Sequence, residues 1–403
     1  MSLSKKILLI VISLSTIINF ILNGMINPVA RGGYDFLVFY KAGQEALSED
    51  PQLYKTVMYR KTEYNYIPVV SYAFIPFTLL SEKSAVYIWF SINIILLFYC
   101  FYLLTEICKM IFNDKFYIMI FFILFNFNPV HETLKWGQIN IFVFCLILLC
   151  IYFYFKKKNI LSGIFLGLSV VFKIIPVIII FYFLITKKFK IIFSSIIIIL
   201  LLLILSISIF GLKTHIDYVT KKLPATSELG YKGNIYDQSF QGLCFRFFWA
   251  ENDYVTPFYD NYKFAKMSSL FLRTLCFIIL IMVLLKSAKY CNSDIVKLLC
   301  LSVTVTGIHL MHSLTWEHHL TWSVLLFVSV FAVIKNKKLS KTYFISALFS
   351  YLLVSMKYGY DNKILTNGPL IIFTGIKLYG IIIIWIIGIL MISKKKLFVK
   401  NSL

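Results

Sequence analysis

Charge is what this sequence has least of. Charged residues make up 14% of the chain and Asp plus Glu number only 18, against about 25% charged in an ordinary soluble domain. That scarcity excludes a water-soluble globular protein. Metal signatures are missing as well: the eight cysteines are scattered without a C-x-x-C pair, and no H-E-x-x-H occurs. Cys100, Cys145, Cys150, Cys276 and Cys300 lie within or beside apolar runs and read as small core residues. There is no internal repeat and no heptad, and the Ile/Leu run 196–205 is lipid-compatible filler. The gaps between apolar runs, of which 26–83 and 211–266 are the longest, leave no room for a large soluble domain.

What is present is hydrophobic, 60% of residues with a mean hydropathy of +0.82, which defines an all-α polytopic membrane protein. The net charge of +22 does not imply nucleic acid, because the lysines sit in short clusters between apolar runs, as topology signals do. Runs of ~17 to 25 apolar residues, or shorter within a bundle, predict spans at 6–25, 84–107, 116–129, 138–155, 189–210, 267–286, 296–312, 319–334, 342–356 and 370–392, with a two-part segment at 160–186. The first run, preceded by Lys5 and Lys6, lacks a small-x-small cleavage site at Asn23-Gly24-Met25-Ile26-Asn27 and is read as a retained span.

With the N terminus cytoplasmic, every lysine-dense turn falls on that side: Lys109/Lys115, Lys156–Lys158, Lys187/Lys188/Lys190, Lys286/Lys289/Lys297, Lys335–Lys341 and Lys394–Lys396. This holds only if 160–186 enters and leaves by one face. Its two short apolar runs are parted by Lys173, with Pro176 just beyond, which disfavours a continuous helix. The expectation is a broken, re-entrant hairpin; the alternative is one kinked span that would invert everything downstream.

The opposite, external face then receives the polar chemistry. In the first loop, Arg31-Gly32-Gly33-Tyr34-Asp35 leads into Asp35–Leu47, and Asn65-Tyr66-Ile67-Pro68 leads into Val69–Leu80; both segments read as short helices along the membrane surface. Asp35, followed by Phe36, Phe39 and Tyr40, is open to two readings, a catalytic base shielded from water or a helix N-cap. His318 and His319 open a span on this face, with His309 and His312 just before them. Four histidines in eleven residues would suit zinc, but carboxylates near them are few and no metal is expected. Arg246 offers a planar fork for phosphate oxygens, or snorkels to headgroups; Lys173 has the same double reading. Gln238 and Ser239 form a polar cluster with Arg246, and Gln138 and Asn140 open a span with two amides that bind sugar hydroxyls or cap the helix.

Taken in order, Asp35 with Phe39 and Tyr40, Tyr66-x-Pro68, Gly137-Gln138-x-Asn140, Leu161-Ser162-Gly163 followed by Lys173-x2-Pro176, Gln238-Ser239-x6-Arg246 and Ser313-x-Thr315-Trp316-x-His318-His319 resemble glycosyltransferase family 87 over about 30–330. The chain departs from the family pattern at Asp237, where Asn is usual, and at Leu314, where Pro is common. The resemblance implies a GT-C type bundle of about 10–12 transmembrane segments, one integral membrane domain over 1–403. It implies a multi-pass enzyme of the bacterial cell membrane that takes a hexose, typically mannose, from a polyprenyl-phosphate-sugar donor. The sugar passes to a lipid-linked or surface glycan on the external face.

In that reading Asp35 is the base, assisted by His318 or His319. Lys173 and Arg246 meet the donor phosphate, and Tyr40, Tyr66, Gln138, Asn140, Gln238, Ser239 and Trp316 line the substrate. Direct displacement inverts the anomeric centre. Since one cation can neutralise a monophosphate, no cofactor is expected. The rivals are a transporter or flippase of a lipid-linked glycan, which should show broken segments in both halves, a scaffold subunit, and an acyltransferase with its site on the cytosolic side.

Overall fold

The computed structural model describes residues 3–27, 32–54, 62–228, 233–251, 254–288, 293–359 and 362–394, with side chains from Leu9 on. The side chains of Lys5 and Lys6, together with Arg31, Lys289, Lys395 and Lys396, lie outside the described residues. Among the described residues regular structure is helical, apart from an isolated bridge between Thr256 and Asn367. Among the described residues seven helices are long and apolar enough to cross a membrane, and shorter apolar helices pack among them. The chain is an all-α polytopic membrane protein.

The first span, α1 (Leu3–Asn19), continues into a π-helical turn, Phe20–Ile26. Next comes α2 (Tyr34–Glu45), ahead of Pro68–Thr78, whose first part is 3-10 helix. The long α3 (Glu82–Phe112) starts where Ser81 Oγ accepts the Ser84 N–H and stops where Asn113 turns left-handed. The predicted single span 116–129 is corrected. It is two helices, α4 (Tyr117–Phe125) and α5 (Asn128–Trp136), divided at Asn126-Phe127, and α5 fills most of the gap left between the predicted spans 116–129 and 138–155. Pro129 explains the division, because in the first turn of a helix its missing N–H costs nothing.

After α6 (Asn140–Phe155) comes α7 (Asn159–Phe172), which packs between α6 and α9 (Phe189–Asp217). Gly163 and Gly167 make that approach possible: an added Cβ would lie 2.4 Å from the Ile191 carbonyl oxygen and 2.7 Å from that of Ser195. Between α7 and α8 (Ile179–Ile185) the backbone becomes extended at Lys173. Lys173 sits beside Asn140 at one end of α6, while Tyr182 and Phe183 pack on Tyr154 at its other end, so the chain reverses at Lys173. Helix α9 bends at Gly211, whose φ of 74° a side chain would resist.

The second half comprises α10 (Phe240–Phe248), α11 (Tyr262–Ala288), α12 (Asp294–Met311), α13 (Val324–Asn336), α14 (Lys341–Ser355) and α15 (Ile376–Ser393). A 3-10 turn, Glu317–Ser323, leads into α13. Residues 294–311 and 317–336 form the centre, with 78% and 94% of their most apolar 18-residue stretches buried, whereas in that of the 189–228 helix only 22% of residues are buried and its flank faces outward. Lysine-rich turns gather at one end, where Lys335 in the last turn of α13 bonds Asp114 after α3 at 3.2 Å. The polar residues described next gather at the other.

Candidate active site

Two glycines set the geometry. Gly33 (φ 57°) caps α2 and Gly137 (φ 69°) ends α5. They face one another so closely that a Cβ on Gly137 would lie 2.8 Å from Phe36 Cβ and 3.3 Å from Gly33 Cα. The contact brings Gln138 to Asp35, whose Oδ2 accepts a hydrogen bond from Gln138 Nε2 at 2.5 Å. Tyr66 O–H donates to Gln138 Oε1 at 3.2 Å, which fixes the amide with its N–H aimed at the carboxylate. The N-cap reading of Asp35 is thereby set aside: Gly33 holds the cap position, and the Asp35 side chain leaves the helix for Gln138.

Burial raises the Asp35 pKa above the ordinary carboxylate range, while the Gln138 bond and the charge of Lys173 pull it down. Burial likewise raises Tyr66, with the Asp35 charge adding to it, so this hydroxyl stays a donor. Lys173 Nζ donates to Asn140 Oδ1 at 2.6 Å and sits 5.7 Å from the centre of the Trp322 ring. Trp322 Nε1 in turn donates to the Asn140 carbonyl at 3.0 Å, so the lysine, amide and indole form one unit.

The histidines close the site. The His318 and His319 rings are 4.6 Å apart and nearly perpendicular, and His312 lies 6.2 Å from His319. His309 packs 5.7 Å from Trp322. Burial holds the His312 imidazole down to about 4, with the charges of Lys173 and Arg273 adding to the effect. At this site three buried atoms, His319 Nδ1, His309 Nε2 and Asn140 Nδ2, have no hydrogen-bond partner among the described residues, the condition in which a polar group is available to a ligand. Among the described residues no group of three His, Cys, Asp or Glu side chains is arranged to hold a metal ion.

Other residues singled out from sequence occupy different places. Tyr40 is buried, its hydroxyl donating to the Leu80 carbonyl at 2.8 Å, so it braces α2. Trp316 precedes the 3-10 turn, where its carbonyl accepts the His319 N–H at 2.9 Å. Gln238, Ser239 and Arg246 build a support for the Ser313–Thr315 turn. The Gln238 N–H donates to the Thr315 carbonyl at 2.7 Å, and Ser239 Oγ donates to the Ser313 carbonyl at 3.2 Å while capping α10. Arg246 has no exposed surface; Nη1 donates to the Asn234 and Asp237 carbonyls at 2.6 and 2.7 Å, and Nε to Thr374 Oγ1 at 2.9 Å. Through Nη1 and Nε the guanidinium is tied to the protein's own loop.

Sequence reasoning missed two participants. Asp237 accepts the N–H groups of Ser239 and Thr315, both at 2.9 Å, beside the Arg246 charge. Trp322 carries no polar pattern that would mark it as the platform under Lys173. No curated protein and no solved structure matches the chain. The family model described as glycosyltransferase family 87 matches residues 64–355, a stretch that begins after Asp35 and contains Gln138, Asn140, Lys173 and all four histidines. With well over half its length matched and this site inside an all-helical membrane bundle, the chain belongs to glycosyltransferase family 87.

Proposed function

We propose that this membrane glycosyltransferase transfers a hexose, mannose first among them, from a polyprenyl monophosphate to a hydroxyl of a lipid-linked or surface glycan. The observation that carries the reading is the Gln138-held Asp35 carboxylate, electrostatically coupled to Lys173. The acceptor O–H attacks the anomeric carbon, its oxygen forms the new glycosidic bond, and its proton passes to Asp35. The bond from that carbon to the phosphate oxygen breaks, and polyprenyl phosphate leaves with the electron pair. Attack opposite the leaving group inverts the anomeric centre.

Lys173 meets the departing phosphate, and His319, whose Nδ1 has no protein partner, hydrogen-bonds it alongside His318. An apolar crevice lined by Phe36, Val86, Trp89 and Phe90 abuts Gly33 and Gly137, a surface suited to the prenyl chain. One lysine balances most of a monophosphate's charge, so the reaction runs without a divalent ion and persists in chelator. All of 1–403 acts as one GT-C type integral domain. The positive-inside rule puts the lysine-rich turns in the cytoplasm and the site on the external face of a bacterial cell membrane.

The test is to incubate purified protein with polyprenyl-phosphate-mannose and candidate lipid glycans, following release of polyprenyl phosphate. Asp35→Asn, which keeps the Gln138 contact but cannot take a proton, lowers transfer by about 10³-fold or more. A variant as active as the wild type removes Asp35 from the mechanism.

A further inference from the structure

A second polar cleft lies on another face of α5. Its helical spacing puts Asn128, His131, Glu132 and Lys135 on one stripe, and all four line a cavity of about 60 Å³. Asn23 and Asn27 of the first span form the facing wall, and Lys357, just after α14, stands at the mouth. The stripe on the first span is itself a ladder: Asn27 Nδ2 donates to Asn23 Oδ1 at 3.2 Å, Asn23 Nδ2 to Asn19 Oδ1 at 2.8 Å, and Asn19 Nδ2 to Asn126 Oδ1 at 2.9 Å. A file of amides along an otherwise apolar span is costly against lipid and is retained where it faces a polar cavity.

The chemistry of the lining selects among ligands. Glu132 holds the Lys135 ammonium at 2.6 Å and takes the Trp136 indole N–H at 3.0 Å. An anion site would not set a carboxylate in its wall, and a cation site would not set two lysines there. A polyol needs donors and acceptors side by side, because each hydroxyl both gives and takes a hydrogen bond, and amides beside an ion pair supply both.

The cleft is joined to the site already described. Thr133 of α5 donates from Oγ1 to the His318 carbonyl at 3.1 Å, and Asn128 Nδ2 donates at 3.0 Å to Glu317, the residue before His318. Glu317 is held by Lys377 of α15, 3.0 Å away and fully buried. We infer that this cleft is the subsite for the acceptor glycan, seating a hexose residue of the acceptor while its reacting hydroxyl reaches Asp35. The inference rests on the proposed transfer reaction for its role, but the binding it asserts is measured without turnover.

Saturation-transfer NMR on the full-length protein in detergent, with α-linked mannobiose as the probe and glycerol 1-phosphate in parallel, tests it. The wild type binds mannobiose, and Asn23→Leu, Glu132→Gln and Lys357→Ala each weaken it at least tenfold. In the transfer assay the same variants raise the acceptor KM while the donor KM stays within twofold. Absence of mannobiose binding to the wild type, affinity unchanged in all three variants, or a preference for glycerol 1-phosphate overturns the acceptor subsite. Mannobiose binding lost in the variants, with no transfer from any polyprenyl donor by the wild type, supports the cleft and counts against the donor reading instead.

Discussion

A carboxylate that has lost most of its water and gained one amide takes up a proton earlier, as pH falls, than an exposed aspartate does. Asp35 is in that position, and a base must be ionised to work. The rate therefore falls on the acid side, and because the pKa is raised, the midpoint of that limb in kcat/KM lies above the ~3.9 of an ordinary aspartate. His312, held down to about 4, stays neutral through neutrality and adds no alkaline limb. A pH profile of transfer with a saturating second substrate checks both points.

Arg246 and Lys173 separate by a different measurement. Arg246→Ala leaves the buried Asn234 and Asp237 carbonyls and Thr374 Oγ1 without their charged donor, a loss of about 1–3 kcal/mol, and should appear as a lowered melting temperature in detergent. Lys173→Ala should melt near the wild type but lose turnover by ~10²-fold. Asp35, Gln138, Asn140 and Lys173 were legible in the sequence because each breaks an apolar pattern at the end of a run. Gln238, Ser239 and Arg246 break the pattern just as visibly. Gln238 and Ser239 bond carbonyls of the distant Ser313–Thr315 turn and Arg246 reaches Thr374 Oγ1, pairings which no spacing rule reveals.

At the scale of elements, the helix that organises the site was the one least visible. Helix α5 has nine residues with a polar stripe, too short for a span and too polar to continue the apolar run of α4. Pro129 and Gly137 marked its two ends, and the Asn128, His131, Glu132, Lys135 periodicity was there to be read at i, i+3, i+4 and i+7. The reversal at Lys173 was anticipated from charge and proline alone, yet the close approach of α7 to α9 through Gly163 and Gly167 was not, because a pair of glycines does not name its partner helix.

Gly137 tests the element's role. Gly137→Ala forces a Cβ into Phe36 and into a left-handed backbone at a cost of ~1–2 kcal/mol, driving the end of α5 away from α2. With Gln138 displaced from Asp35, kcat drops tenfold or more. The acid limb shifts further toward neutrality, since the bond that stabilised the ionised carboxylate is gone. An alanine variant with wild-type kcat and an unmoved limb disproves the clamp.

Over the whole molecule, the ordering of apolar runs and lysine turns sufficed to lay out the bundle, since hydrocarbon tolerates few arrangements of unpaired backbone. It did not disclose which spans lie at the centre. Segments 294–311 and 317–336 are less hydrophobic than the outward-facing 189–228 helix, with mean hydropathies of 1.6 and 1.5 against 3.0, so a ranking of spans by hydrophobicity alone would put the wrong helix at the centre. Lys377 was likewise invisible, a lysine in a predicted span with no sign of its carboxylate sixty residues earlier in the chain.

That pairing has a consequence for the birth of the protein. Translation supplies Glu317 and the adjoining histidines well before it supplies α15, so for part of its synthesis the chain holds an acidic residue with no counter-ion among the helices already inserted. Until then Asn128 and Thr133 of α5 hold the turn, and docking of α15 adds the Lys377 charge to Glu317. A chain truncated before α15 should therefore insert yet fail to transfer sugar, an outcome that a truncation series read for both insertion and transfer checks.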